Sequence, residues 1–259
     1  GFGVPLIAFV NKMDKLGADF AHAVETIRER LSPNAITVQW PIGSEAAFRG
    51  VIDLLDMRAI VWADELGTSP QVAEIPPELV DTAYQARDRA LEQIIETDDA
   101  LMALYLEGQE IPVAQLRPAL RRATIAGRLY PVLCGSALRN KGIQPLLDAV
   151  VDYLPSPLDV PPVEGVNPYT KKTETRLADP NAPLAALVFK IASDPYVGRL
   201  AYLRVYSGKV KVGSSVINAT KRSKERISKL LRMFADRREE IQELSAGDIG
   251  ATVGLKDTF

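Results

Sequence analysis

The 259 residues carry 31 lysines and arginines against 33 aspartates and glutamates, a formal net charge of −2 with a pI near 5.7, so the chain as a whole gives no electrostatic case for a nucleic-acid partner. An apolar content of 47% with 25% charged residues excludes a disordered chain and leaves room for two domains. No apolar run is long enough to span a bilayer, so a cytoplasmic protein without a membrane partner is expected; the one cysteine excludes an internal disulfide, and no metal-ligand cluster stands out.

The first apolar run, Leu6-Ile7-Ala8-Phe9-Val10, stops abruptly at Asn11-Lys12-Met13-Asp14. It reads as a buried strand of a parallel sheet, and in such sheets ligands collect beyond the strands' carboxyl ends. The polar cluster lies at that end and has a specific chemical logic. Guanine presents the ring N1–H and the exocyclic amine side by side, and the Asp14 carboxylate can accept both in a fork. The Asn11 amide can bond the purine's other edge and tie down the loop, while the stem of Lys12 lies along the base plane and Met13 packs inward. The competing interpretation is an ordinary turn, since these residue types are common in turns.

A helix follows from about Ala18 to Arg30, with Phe20, Val24 and Ile27 on its apolar face and the single histidine, His22, off it on the surface. In a minimal nucleotide-binding α/β domain the next strand should come soon, yet it is expected only at about Leu129. The interval reads as an inserted subdomain over residues 35–127. It has β-like stretches at 35–41, 50–55 and 59–63, then a helix opened by Pro76-Pro77 and running to Glu96, and shorter ones at Asp99 to Leu106 and Val113 to Ala126. The acids Glu92, Glu96, Asp98 and Asp99 fall at solvated positions.

Tyr130-Pro131-Val132-Leu133-Cys134 is a second buried strand, with Cys134 a small core residue. Gly135-Ser136-Ala137-Leu138 forms the loop beyond it, small enough for backbone N–H groups to approach the guanine O6, before a helix with apolar positions Ile143, Leu146, Leu147, Val150 and Val151. Residues 1–34 and 128–154 therefore make one α/β domain. Residues 155–181, rich in Pro155, Pro157, Pro161 and Pro162, read as a linker. From Ala182 the short segments 184–192, 199–207, 215–218, 225–234 and 249–255, separated by turns, read as an antiparallel barrel. Between Arg199 and Arg232 ten basic residues face the single acid Glu225, and Lys221, Arg222 and Lys224 are candidate contacts to RNA phosphates; a solvated barrel surface explains the same pattern.

The two loops resemble those of the translational GTPases, most closely the elongation factor G group. Asn11, Lys12 and Asp14 fall on that family's guanine-specificity motif and Ser136-Ala137-Leu138 on its last nucleotide-binding loop. Phe189-Lys190-Ile191, Asp194 to Leu200, Val205-Tyr206-Ser207-Gly208 and Ala246-Gly247-Asp248-Ile249 resemble its second domain. Release factor three, the tetracycline-resistance ribosomal protection proteins and a recycling paralogue remain alternatives. The resemblance implies α/β plus all-β architecture: a partial P-loop-NTPase-type α/β domain with an inserted α+β subdomain, followed by a translation-factor β-barrel.

The same resemblance implies GTP and GDP as ligands, Mg2+ in the full-length protein, and the ribosome as partner through ribosomal RNA and stalk proteins, with no DNA. Nothing upstream of Asn11 supplies a Gly-x-x-x-x-Gly-Lys-[Ser/Thr] loop or an Asp-x-x-Gly segment, and the chain opens on Gly1-Phe2-Gly3. It is thus expected to be a fragment, barrel incomplete at Phe259, without catalytic residues or hydrolytic activity of its own.

Overall fold

The first apolar run forms β1 (Ala8–Val10) in a computed structural model that describes residues 3–109, 111–167, 169–194, 198–234 and 237–258. Gly1, Phe2, Pro195-Tyr196-Val197 and Phe259, all used in the sequence reading, lie outside these. The chain divides into two compact units, one ending at Pro155 and the other beginning at Ser156.

In the first unit Asp19 caps α1 (Phe20–Arg30), its carboxylate accepting the His22 N–H at 2.9 Å, while Phe20 and Val24 turn into the core. Exposed His22 thus serves the helix start through its backbone. Next come β2 (Ala35–Thr37) and then β3 (Gln39–Ile42), β4 (Gly50–Asp53), β5 (Arg58–Trp62) and β6 (Pro70–Ala73), the last four an antiparallel meander. Helices α2 (Val80–Ile95), α3 (Asp99–Leu106) and α4 (Val113–Ile125) follow, then β7 (Tyr130–Cys134) and α5 (Ile143–Tyr153).

The parallel sheet runs β1-β7-β2, with Ala8 opposite Val132 and Ala35 opposite Tyr130. Two expectations change here. Ala35–Thr37, grouped by sequence with the insertion, belongs to the parallel sheet; only Val38 separates it from β3, so one apolar run feeds two sheets. And β1, at one edge of this sheet, is half-buried, with Leu6 57% exposed, whereas central β7 and the other edge strand β2 are buried.

One core joins the sheet to the inserted helices: Ile36 and Leu133 pack with Ile94, Leu116, Leu120 and Tyr153. On α5 the buried residues are Ala149 and Tyr153, whereas Leu147 and Val151 of the expected apolar stripe face outward. Arg117 on α4 crosslinks this region, reaching Asp53 at 3.1 Å, Asp56 at 3.0 Å and the Tyr153 hydroxyl at 3.1 Å.

The second unit is built of antiparallel strands. β8 (Val163–Val166) and β9 (Thr173–Arg176) form a hairpin within the segment read as a linker. All four residues of β8 are exposed, so no period-two apolar signal marked it. Then come β10 (Ala185–Asp194), β11 (Gly198–Ser207), β12 (Lys209–Lys211), β13 (Ser215–Asn218), β14 (Ser223–Arg226), β15 (Lys229–Phe234), β16 (Arg237–Ile241), β17 (Glu243–Ser245) and β18 (Ile249–Val253). The main sheet has the order β10-β11-β18-β15-β16, with β12 paired to β17 and β13 to β14, around Leu203, Val205, Val210, Ile227, Leu230 and Leu244. Gly208, at φ +72, donates its N–H to Asp179 O at 2.8 Å, which ties the preceding segment to this unit.

Candidate functional site

The parallel sheet sets the site. Because β1 and β7 are adjacent and parallel, both chains leave the sheet at the same end, and the loops after Val10 and Cys134 meet. Gly135 N–H donates to Val10 O at 3.0 Å and Met13 N–H to Gly135 O at 3.1 Å, so the ladder continues past the strands into the loops. A Cβ on Gly135 would stand 2.4 Å from Lys141 O and 2.7 Å from the Phe9 ring, which makes glycine a requirement of the crossing.

Side chains complete the junction. Ser136 Oγ donates to Asp14 Oδ1 at 2.6 Å, across 122 positions of sequence, and Asn11 Oδ1 accepts the N–H groups of Ala137 at 2.9 Å and Lys12 at 2.8 Å. The Ser136 hydrogen bond, aided by Lys15 at 3.7 Å and Arg139 at 3.9 Å, holds the Asp14 carboxyl below its ordinary range. Asp14 is therefore an ionised acceptor at neutral pH.

The candidate residues take different parts. Lys12 sits exposed at φ +65, Ala137 and Leu138 are exposed, and Ser136 is buried with its hydroxyl committed to Asp14. Met13 is 1% exposed and packs with Phe20 and Val24, so it serves the site only through its backbone. The N–H of Ser136 is also committed, to Lys141 O at 2.8 Å. The expectation that loop amides would point freely at a base is thereby narrowed: Ala137 N–H is shared with Asn11, and Leu138 N–H makes no hydrogen bond among the described residues.

The expected basic stripe is partly neutralised. Lys209 and Lys211 both lie 3.5 Å from Glu243, and Lys229 bonds Glu240 at 2.6 Å, acids that follow the counted window and are delivered by β16 and β17. Lys221, Arg222 and Lys224 are exposed around the β13–β14 turn. Glu225 is buried beside them. Burial opposes its ionisation, but hydrogen bonds from Thr258 at 2.6 Å, Asp257 N–H at 2.8 Å and Asn218 at 3.1 Å outweigh that and keep its carboxyl low.

The acids of the insertion also divide. Glu92, Glu96 and Asp99 are exposed, but Asp98 caps α3, accepting from Ala100 and Leu101 N–H, and pairs with Arg122, whose hydrogen bond lowers its pKa. Cys134 is fully buried and burial pushes its thiol up, as befits a core residue. No group of three or more His, Cys, Asp or Glu among the described residues is placed to hold a metal.

A parallel sheet whose two adjacent strand ends converge on an ionised carboxylate, followed by a β-rich unit, defines a nucleotide-binding type of α/β protein with a second domain. A family model described as the elongation factor Tu GTP binding domain matches residues 1–156, and one described as elongation factor G domain 2 matches residues 183–259. The crystal structure of ttk003000868 from Thermus thermophilus is similar, with a TM-score of 0.76 and 30% identity, over 96% of this chain and 34% of that one. The chain spans about a third of the length of that solved structure. It belongs to the translational GTPase family.

Proposed function

We propose that this chain is part of an elongation-factor-G-type GTPase and supplies the end of the nucleotide site that selects guanine. The observation that carries this reading is the Ser136–Asp14 hydrogen bond of 2.6 Å, which joins two loops far apart in sequence into one acceptor cluster. In the proposed complex Oδ1 and Oδ2 of Asp14 accept the guanine N1–H and exocyclic amine, and Ala137 or Leu138 N–H serves O6. Asn11 positions that amide, and Lys12 covers the base with its stem. GTP or GDP is the ligand. Its phosphates and the Mg2+ that neutralises them would be held by motifs that these 259 residues do not contain, so the isolated chain is expected to bind guanine nucleotide feebly and to hydrolyse none.

In the intact protein, hydrolysis would drive movement of tRNA and mRNA through the ribosome, with the β-rich unit toward ribosomal RNA and the insertion toward stalk proteins. Replacing Asp14 with Asn in the full-length protein tests the site, because xanthine carries a carbonyl where guanine has its amine. Preference should swing from GTP toward xanthosine triphosphate by about a hundredfold or more, as for other sites built on a buried hydrogen-bond match. An unchanged preference removes Asp14 from the role.

A further inference from the structure

Both base loops are held from outside by the inserted segment. In the short 3-10 turn Glu45–Ala47, between β3 and β4, Glu45 donates its N–H to Met13 O at 2.8 Å and accepts the Gly17 N–H on Oε1 at 2.7 Å. One residue thus grips the 11–17 loop at its middle and its far end. In the β5–β6 connection the Gly67 carbonyl accepts from Asn140 Nδ2 at 3.0 Å and Gln144 Nε2 at 2.8 Å, which grips the loop that follows β7. That connection is itself fixed by Asp64, whose carboxylate accepts from Thr68 N–H at 2.7 Å and Thr68 Oγ1 at 3.0 Å.

Backbone strain marks the same places. Six non-glycine residues among those described have left-handed backbones, and three of them, Lys12 at φ +65, Glu45 at φ +55 and Asn140 at φ +53, lie in the two loops or the grip on them. Such conformations persist where surrounding contacts over-determine them. Gly67, at φ +62, packs so close that a Cβ would fall 2.3 Å from Arg139 O. None of these bonds engages the side chains of Asn11, Asp14 or Ser136.

We propose that Glu45 and the Gly67–Asn140–Gln144 contact are positioning elements for the guanine site: the insertion sets the spacing of the two base loops, and cutting either grip lets guanine nucleotide leave faster. This rests on the guanine assignment above. The test uses Glu45→Ala, Glu45→Gln and the double variant Asn140→Ala/Gln144→Ala in the full-length protein, with fluorescently labelled GDP as probe. Glu45→Ala, which loses one charge-assisted hydrogen bond, and the double variant, which loses two part-buried ones, should each raise the GDP dissociation rate by about tenfold.

Glu45→Gln keeps an acceptor oxygen for Gly17 and should restore slow release. Amide hydrogen exchange at Gly17 and Ala137 should quicken in the Ala variants, while Leu133 in the core keeps its protection. Quickened exchange with unaltered GDP release overturns the proposal and leaves the guanine assignment standing, as does release accelerated equally by Glu45→Gln. Failure of Asp14→Asn to alter base preference instead overturns the assignment itself.

Discussion

One hydroxyl, that of Ser136, is the largest cause holding the Asp14 carboxyl below its ordinary range. With the folded pKa held below the unfolded value of about 3.9, Asp14 contributes stability that is fully present above that value and is lost as pH falls through the folded pKa. Ser136→Ala removes the largest cause of the shift, so the variant should lose about 1 kcal/mol at neutral pH and show a shallower acid loss than the parent. Urea melts at neutral pH and near pH 3 would show the two proteins converging in acid. A gap that stays constant across that range would mean the hydroxyl acts through packing alone. Asp14, Asn11 and Ser136 were legible as a set because each lies directly after an apolar strand. Glu45 was not, since the Gly43-Ser44-Glu45 stretch reads as any turn and its bond to Gly17 spans 28 positions.

Helices and central strands could be placed from local pattern: α3 lies at Asp99–Leu106 and β7 at Tyr130–Cys134, as the sequence predicts. What local pattern lacks is the identity of the pairing partner. β2 and β3 differ in nothing a short window can see, yet one pairs in parallel with β7 and the other antiparallel with β4. Polar strands such as β16, with the sequence Arg-Arg-Glu-Glu-Ile, carry no alternation to find. Between β7 and α5 the turn depends on Gly142, at φ +86, where a Cβ would lie 2.6 Å from Cys134 O. Gly142→Ala should therefore cost about 2–3 kcal/mol, combining the left-handed backbone with the clash. It should also open the Ser136–Lys141 bridge beside it. Thermal melts would read the first effect and amide exchange at Ser136 the second; a stability change below about 0.5 kcal/mol would contradict the close approach.

At the scale of the molecule, a net charge of −2 conceals a division of labour among the cations of the second unit. Lys209, Lys211 and Lys229 are spent on Glu243 and Glu240, and such exposed pairs contribute little to stability. Around the β13–β14 turn Lys221, Arg222 and Lys224 are exposed, and the buried Glu225 on β14 is saturated by hydrogen bonds from Asn218, Asp257 and Thr258. That arrangement displays positive charge at the hairpin tip. If the tip meets ribosomal RNA, affinity must fall as salt rises, with a slope set by the number of phosphates neutralised. Neutralising Lys221, Arg222 and Lys224 together should flatten the slope of log affinity against log salt by about 2–3, roughly one unit per contact. Neutralising Lys209, Lys211 and Lys229 should barely alter it, because their countercharges travel with them. Ribosome titrations at a series of salt concentrations would separate the two sets; equal effects from both would return the tip to a solvated surface.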